Sequence, residues 1–172
     1  IETYPTWKLY QLLFESKLFD EQLSVMFGLY DLNSEFDTRE SSSLFLNPSH
    51  GIGPDFAFSG LNGPSIFPIT SLALRLKYQN ENGFYIQSAA FDGVPGNPDN
   101  PNGTHVILNK EDGVLLANEI GVEFHDDDEY QGKAALGLWT YTKDMETHNN
   151  LMSAGANTST ANSYGMYFTG EK

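Results

Sequence analysis

The stretch that decides the fold is Ser71-Leu72-Ala73-Leu74-Arg75-Leu76-Lys77-Tyr78, in which apolar and polar residues alternate. One face would carry Leu72, Leu74, Leu76 and Tyr78, and the other Ser71, Ala73, Arg75 and Lys77. This period of two residues predicts a β-strand that is apolar on one side only. In a soluble β-sandwich the leucines would face a core. In a membrane barrel they would face lipid, and the charged residues would face a wet lumen.

Composition limits the alternatives. The chain has 172 residues, no cysteine, and 23 acidic against 9 basic residues, for a formal net charge of -14. We expect residues 1–172 to form part of a single domain. Nucleic acid is excluded as a partner because binding phosphate needs a basic face. No apolar run approaches the length of about 18 residues that a transmembrane helix needs.

Six more strand-like segments accompany the central one. The predicted strands cover residues 7–19, 23–31, 70–79, 84–92, 114–125, 134–143 and 164–169. The first of these also fits a helix, because Leu9, Leu12 and Leu13 match a 3.6-residue period. The predicted class is therefore all-β and antiparallel.

The connections between these segments alternate between short and long. Short turns are predicted at residues 20–22, 80–83 and near 126–128, and Asn82-Gly83 is a strong hairpin signal. Long loops rich in Gly, Pro, Asn and Ser are predicted at 33–69, 93–112 and 144–163. Outer-membrane barrels show this asymmetry, with short periplasmic turns and long extracellular loops. Bacterial single-chain barrels have an even number of strands, so seven strands cannot close one. We therefore expect the chain to be a segment of a larger barrel.

Four motifs resemble signatures of the carbohydrate-selective porins of the OprB type. They are Gly28-Leu29-Tyr30-Asp31-Leu32-Asn33-Ser34-Glu35-Phe36; Leu44-Phe45-Leu46-Asn47-Pro48-Ser49 with Gly51-Ile52-Gly53-Pro54; Asn62-Gly63-Pro64-Ser65-Ile66-Phe67-Pro68; and Phe91-Asp92-Gly93-Val94-Pro95-Gly96-Asn97-Pro98. They occur in order along nearly the whole chain, and the resemblance is weakest over residues 146–162.

The resemblance implies a bacterial outer-membrane β-barrel of about 16 strands when complete. This chain would be an internal segment of it, without the N- and C-terminal strands. Sugars such as glucose, or oligosaccharides, would diffuse passively through a loop-narrowed pore, with no cofactor and no enzymatic step. Outer-membrane lipid and lipopolysaccharide would contact the outside, and assembly into a homo-oligomer stays open.

A sugar pore needs polar side chains that replace water around hydroxyl groups, and aromatic faces that stack on pyranose rings. The candidate pore-lining residues are Arg75, Lys77, Gln87, Glu119, Glu123, Trp139 and Tyr141. Two alternatives remain. Arg75, Glu119 and Glu123 could form a salt-bridge ladder that only holds the wall. Tyr141, like Tyr78, could belong to an aromatic girdle at the membrane interface.

A second group of candidates lies where strands meet long loops. Tyr30, Asp31, Asn33 and Asp92 could line the pore mouth. The alternative is an Asx-type turn at Asp31 and Asn33 that anchors the loop backbone.

Other chemistry is poorly supported. The oxygen ligands at Asp92, Asp99 and nearby asparagines hint at calcium, but their spacing does not fit an EF-hand, and the histidines lack metal-site spacing. Glu119 and Glu123 would lie about 13 Å apart along a strand, which suits neither class of glycosidase. A soluble carbohydrate-binding β-sandwich remains the main alternative. One departure from a lipid-facing surface is Asn118, which falls on the apolar face.

Overall fold

The computed structural model describes residues 5–47, 50–126, 129–146 and 160–172. They form one seven-stranded sheet in which each strand pairs antiparallel with the next along the chain. The strands are β1 (Leu12–Leu18), β2 (Leu23–Tyr30), β3 (Ser71–Gln79), β4 (Phe84–Asp92), β5 (Val114–Asp126), β6 (Glu129–Glu146) and β7 (Thr160–Glu171). The predicted all-β, antiparallel class is confirmed.

Within the described residues, helical structure is confined to the loop between β2 and β3. This β2–β3 loop, residues 31–70, contains 3-10 turns at Leu32–Ser34 and Glu40–Leu44 and the short helix α1 (Pro54–Ala57). No helix in the described ranges is long and apolar enough to cross a membrane.

Several predicted strand bounds were wrong. β1 begins at Leu12, so residues 7–11 lie outside it, and the competing helix does not form. β6 covers Glu129–Glu146 and β7 covers Thr160–Glu171, both longer than predicted. Polar residues interrupt the alternation near the ends of both strands. Backbone pairing nevertheless continues through a register shift between Phe124 and His125 in the β5–β6 pair and another between Thr140 and Asp144 in the β6–β7 pair. Residues 147–159 of the predicted third long loop lie outside the described residues.

The register separates two faces of the sheet. We call the face that carries Leu74 and Leu76 the outer face, and the face that carries Arg75 and Glu119 the inner face. Leu74 and Leu76 are 48% and 47% exposed, whereas Arg75 is 2% exposed. Further exposed apolar side chains of the outer face are Phe14, Phe27, Ile86, Ile120, Leu136, Leu138, Met166 and Phe168. The sandwich alternative required a second sheet over these leucines, and the described part of the chain contains a single sheet.

Asn118, the polar residue predicted on the apolar face, does lie on the outer face. It is opposite Ser88 in the β4–β5 register, and the Ser88 hydroxyl donates to Asn118 Oδ1 at 2.8 Å. Because each polar group partners the other, the cost of placing them among apolar side chains is reduced.

The core lies between the inner face and the β2–β3 loop. Leu32, Phe36 and Phe56 of the loop are buried against aromatic residues of the strands. The Phe56 ring stacks on Trp139 at a centroid distance of 5.1 Å. The loop is therefore a packed part of the structure that covers much of the polar wall.

Two glycines let the aromatic side chains of the inner face lie flat against the neighbouring strand. Gly165 is opposite Trp139 in the register, and a Cβ there would be 2.6 Å from the indole ring. Gly137 is opposite Tyr167, and a Cβ there would collide with the tyrosine ring. Such glycine–aromatic pairs across strands are a device that pins register and supports sheet curvature.

Candidate solute-binding cleft

The predicted pore-lining residues all lie on the inner face, but the loop divides them into two groups. Arg75, Gln87, Glu119, Trp139 and Tyr141 are buried beneath the β2–β3 loop. The side chains of Lys77 and Glu123 are 20% and 23% exposed at the end of the sheet where the short turns lie. Of the seven candidates, Lys77 and Glu123 have the most exposed side chains.

Arg75 joins the sheet to the loop through Glu35. Its Nε and Nη2 atoms donate to the two carboxylate oxygens of Glu35, each at 2.8 Å. Arg75 also donates to Ser24 Oγ, and its Nη2 lies 3.5 Å from Glu15 Oε1. The Tyr30 hydroxyl donates to Glu35 as well. A bidentate pair of this kind fixes both position and orientation, so Arg75 holds the loop against β3.

Glu119 is the second attachment point. Its buried carboxylate accepts from the hydroxyls of Tyr85 and Tyr167, each at 2.6 Å. It also accepts from Gln87 Nε2 and from the backbone amide of Asp37, each at 3.1 Å. A buried carboxylate needs such partners, because an unpaired one is costly. The Asp37 amide belongs to the loop, so this network too ties loop to wall.

The predicted ladder among Arg75, Glu119 and Glu123 is not what the structure shows. Arg75 pairs with Glu35 and Glu15, whereas Glu119 lies 3.7 Å from Lys133 Nζ. The charges of the wall therefore pair partly with the loop and partly with neighbouring strands.

Trp139 and Tyr141 support the middle of the loop. Trp139 stacks on Phe56, and the Tyr141 hydroxyl lies 3.2 Å from Ser59 Oγ. Tyr141 is fully buried, so the alternative that placed it in an aromatic girdle at the membrane interface is wrong. Tyr78, the other girdle candidate, is exposed on the outer face.

A cleft of about 360 Å³ opens between the loop and the wall at the short-turn end. Its lining residues are Ser34, Glu35, Thr38 and Glu40 from the loop and Lys77, Tyr85, Gln87, Glu123, Tyr130, Lys133 and Glu171 from the strands. Lys77 Nζ lies 3.8 Å from Glu123 Oε1 and 5.0 Å from the centre of the Tyr85 ring. Charged donors, carboxylate acceptors and aromatic rings thus share one cavity.

Sequence reasoning missed part of this lining. Tyr85 has the same strand parity as Gln87 and could have been assigned to the inner face from alternation alone. Lys133 and Glu171 follow only from the register, which places Glu123, Lys133 and Glu171 side by side on β5, β6 and β7. The loop residues Glu35 and Glu40 carry no sequence signal that predicts where the loop folds.

The residues predicted at the pore mouth hold the start of the loop. Asp31 Oδ1 accepts from the amide of Asn33 at 2.8 Å, which is the Asx-type turn of the alternative reading. Asp31 Oδ2 accepts from the Phe67 amide at 3.2 Å and from the Tyr10 hydroxyl. Burial and then the hydrogen bond to Asp31 raise the pKa of Tyr10 well above its usual value, so Tyr10 remains a donor.

The other residues predicted at the pore mouth also make structural contacts within the protein. Asn33 Nδ2 donates to the carbonyl oxygen of Gly51 at 3.0 Å, and Tyr30 is buried in the core. Asp92 is half-buried at the end of β4, where its backbone carbonyl oxygen accepts from the Ser71 hydroxyl at 3.3 Å. Asp99 and Asn102 donate through their amides to Asn97 and Asn100, as in Asx turns. Nowhere in the described ranges do three or more metal-ligating His, Cys, Asp or Glu side chains come together.

An antiparallel sheet that is apolar outside, polar inside and covered within by a folded loop defines a segment of a porin-type transmembrane barrel wall. The family profile described as "Carbohydrate-selective porin, OprB family" matches residues 1–171, and the chain belongs to this family. The family is one of outer-membrane porins, so the chain is a component of the bacterial outer membrane.

Comparison with solved structures supports the same fold. The chain is similar to the "High pH structure of Pseudomonas putida OprB", with a TM-score of 0.67 and 21% sequence identity. The match covers 95% of this chain and 40% of that one, so this chain spans less than half of the matched structure's length. No curated protein matches the chain.

Proposed function

We propose that this chain forms the part of a passive sugar channel in which the β2–β3 loop narrows the pore. The observation that carries the proposal is the cleft between the loop and the wall, where Lys77 and Glu123 are open to solute. Glucose is the substrate we propose to test first. The channel requires no cofactor and performs no enzymatic step.

The chemistry of the cleft suits a neutral polyol. Lys77 and Lys133 offer hydrogen-bond donors to sugar oxygens, and Glu123 offers an acceptor to sugar hydroxyls. The rings of Tyr85 and Tyr130 offer flat faces to the C–H surface of a pyranose. Each contact is weak in water, which lets a solute both enter and leave.

The remaining predicted pore residues take a supporting role in this proposal. Four of them hold the loop against the wall: Arg75, Glu119, Trp139 and Tyr141. Gln87 also connects the wall to the loop, because its Nε2 donates to the Glu35 carbonyl oxygen at 3.1 Å. The loop in turn presents Ser34, Glu35, Thr38 and Glu40 to the cleft.

The outer face suits lipid as its partner. Its exposed leucines, phenylalanines and isoleucines match the acyl region of the membrane, with lipopolysaccharide expected in the outer leaflet. Association of copies of the complete porin into a homo-oligomer is tested by cross-linking in native membranes.

The test uses the full-length porin in planar bilayers, where bound sugar reduces the ion current. Lys77→Met retains the aliphatic stem and removes the donor, and Glu123→Met removes the acceptor. The loss of one hydrogen bond should weaken glucose block about 2- to 10-fold. Leu76→Val on the outer face is the matched control and should leave block unchanged. Wild-type glucose block in both cleft variants would contradict the proposal.

A further inference from the structure

The far end of β7 is tied to the β2–β3 loop by one carboxylate, that of Glu171. Its Oε1 accepts from the Glu40 amide at 2.8 Å and from the Tyr130 hydroxyl at 2.7 Å. Its Oε2 accepts from the amide of Ser41 at 2.9 Å and from the Ser41 hydroxyl at 2.7 Å. Both oxygens are therefore engaged, and three of the four donor groups belong to the loop.

These contacts supply what the loop lacks locally. The 3-10 turn Glu40–Leu44 begins after Arg39, whose side chain makes no capping hydrogen bond. The first amides of a helical turn have no partner within the turn and need an acceptor. The carboxylate of Glu171 in β7 supplies this acceptor, 130 residues away from Ser41 in sequence. Because the acceptor is charged, these hydrogen bonds are stronger than those between neutral groups.

The contact between Glu171 and the loop lies at the edge of the cleft, so it affects the shape of the cleft as well as the stability of the loop. Glu40, Tyr130 and Glu171 line the cleft, so the joint between loop and wall forms one side of it. Glu35, held by Arg75, attaches the loop at another point of the cleft. In the middle, Thr169 Oγ1 of β7 lies 3.1 Å from Asp37 Oδ1. The loop between Glu35 and Ser41 is thus fixed at both ends above the cavity.

We propose that Glu171 is a positioning residue that sets the width of the cleft by capping the turn Glu40–Leu44. It acts through the loop and need not touch the solute. Releasing the turn would let Glu40 and the residues before it move away from β6 and β7. The inference rests on the proposed function for the identity of the solute, but the width of the opening can be measured with ions alone.

The experiment compares variants of the full-length porin in planar bilayers. Glu171→Ala removes all four acceptor contacts, Glu171→Gln retains one acceptor oxygen, and Ser41→Ala removes only the hydroxyl contact. Glu81→Ala, a carboxylate in the exposed β3–β4 turn outside the cleft, is the matched control. Heat-modifiable migration in gels verifies that each variant is folded.

We expect a graded rise in salt conductance and current noise in the order Ser41→Ala, Glu171→Gln, Glu171→Ala, with no change in Glu81→Ala. Discrimination between glucose and larger sugars should fall in the same order. Wild-type conductance and noise in folded Glu171→Ala would overturn the inference. If Glu171→Ala does not fold, wild-type behaviour of both milder variants overturns it equally. A widened pore in a channel that no sugar blocks would support the positioning role and remove the sugar function.

Discussion

Replacement of Arg75 by methionine is the change that most directly tests how the loop is held. Methionine fills similar space but cannot donate, so the Glu35 carboxylate loses its two contacts of 2.8 Å and keeps the hydroxyl of Tyr30 as its donor among the described residues. Removing one member of a buried ion pair costs about 3–5 kcal/mol. The Glu35 side chain is 25% exposed and regains some hydration, so we expect about 2–3 kcal/mol.

That free energy belongs to docking of the loop rather than to the sheet, so hydrogen exchange of the full-length porin is the suitable assay. The amide of Leu32 donates to the Ser65 carbonyl oxygen and that of Asp37 to Glu119. If loop opening limits their exchange, both should exchange about 30- to 150-fold faster in Arg75→Met. Amides within β4 and β5 should exchange at the wild-type rate.

Two comparisons make this result decisive. Lys17→Met removes the exposed pair between Lys17 and Glu21 and should leave loop exchange unchanged. The double variant Arg75→Met/Glu35→Gln should be less destabilised than the sum of the two single variants, because the uncompensated carboxylate is gone. Additive effects, or wild-type exchange at Leu32 and Asp37 in Arg75→Met, would refute the claim that this pair docks the loop.

Other substitutions test the remaining contacts. Phe56→Ala should lose about 3–5 kcal/mol of loop docking, seen as faster loop exchange and a red-shifted Trp139 emission; an unchanged spectrum would argue against the stack. Gly137→Ala should lower the stability in urea by about 1–3 kcal/mol, because the new methyl meets the Tyr167 ring, and equal stability would contradict this close approach. Glu119→Gln should cost about 2–4 kcal/mol in the same assay, since the amide cannot accept from all the donors that the carboxylate serves; a neutral effect would show that those donors find other partners.

Alternation was sufficient to predict the sheet and its two faces, because strand parity is a local property. Leu74 and Leu76 lie outside, and Arg75 and Lys77 lie inside, as the pattern of that strand indicates. The alternation of short and long connections likewise reflects local turn chemistry, such as Asn82-Gly83. The ends of β6 and β7 were mispredicted because pairing there depends on the neighbouring strand.

The alternation of residues along a strand does not predict which loop residues pack over a side chain of the inner face. Arg75 was predicted to face a sugar path, yet it contacts Glu35, which is 40 residues away in sequence. Glu119 similarly contacts the amide of Asp37, 82 residues away. These partners follow from the fold of the β2–β3 loop, which no local pattern specifies. Lys77 and Glu123 are more exposed because the cleft separates the loop from the wall at their end of the sheet.

Cysteine labelling tests most directly whether the cleft lies on the solute path. This chain contains no cysteine, so Lys77→Cys and Glu123→Cys can be introduced singly into a full-length porin free of other cysteines, with Leu76→Cys as the outer-face control. The account predicts that a charged thiol reagent reduces the current through both cleft variants, and that glucose slows their modification. Modification that leaves the current unchanged, or that glucose does not slow, would contradict it.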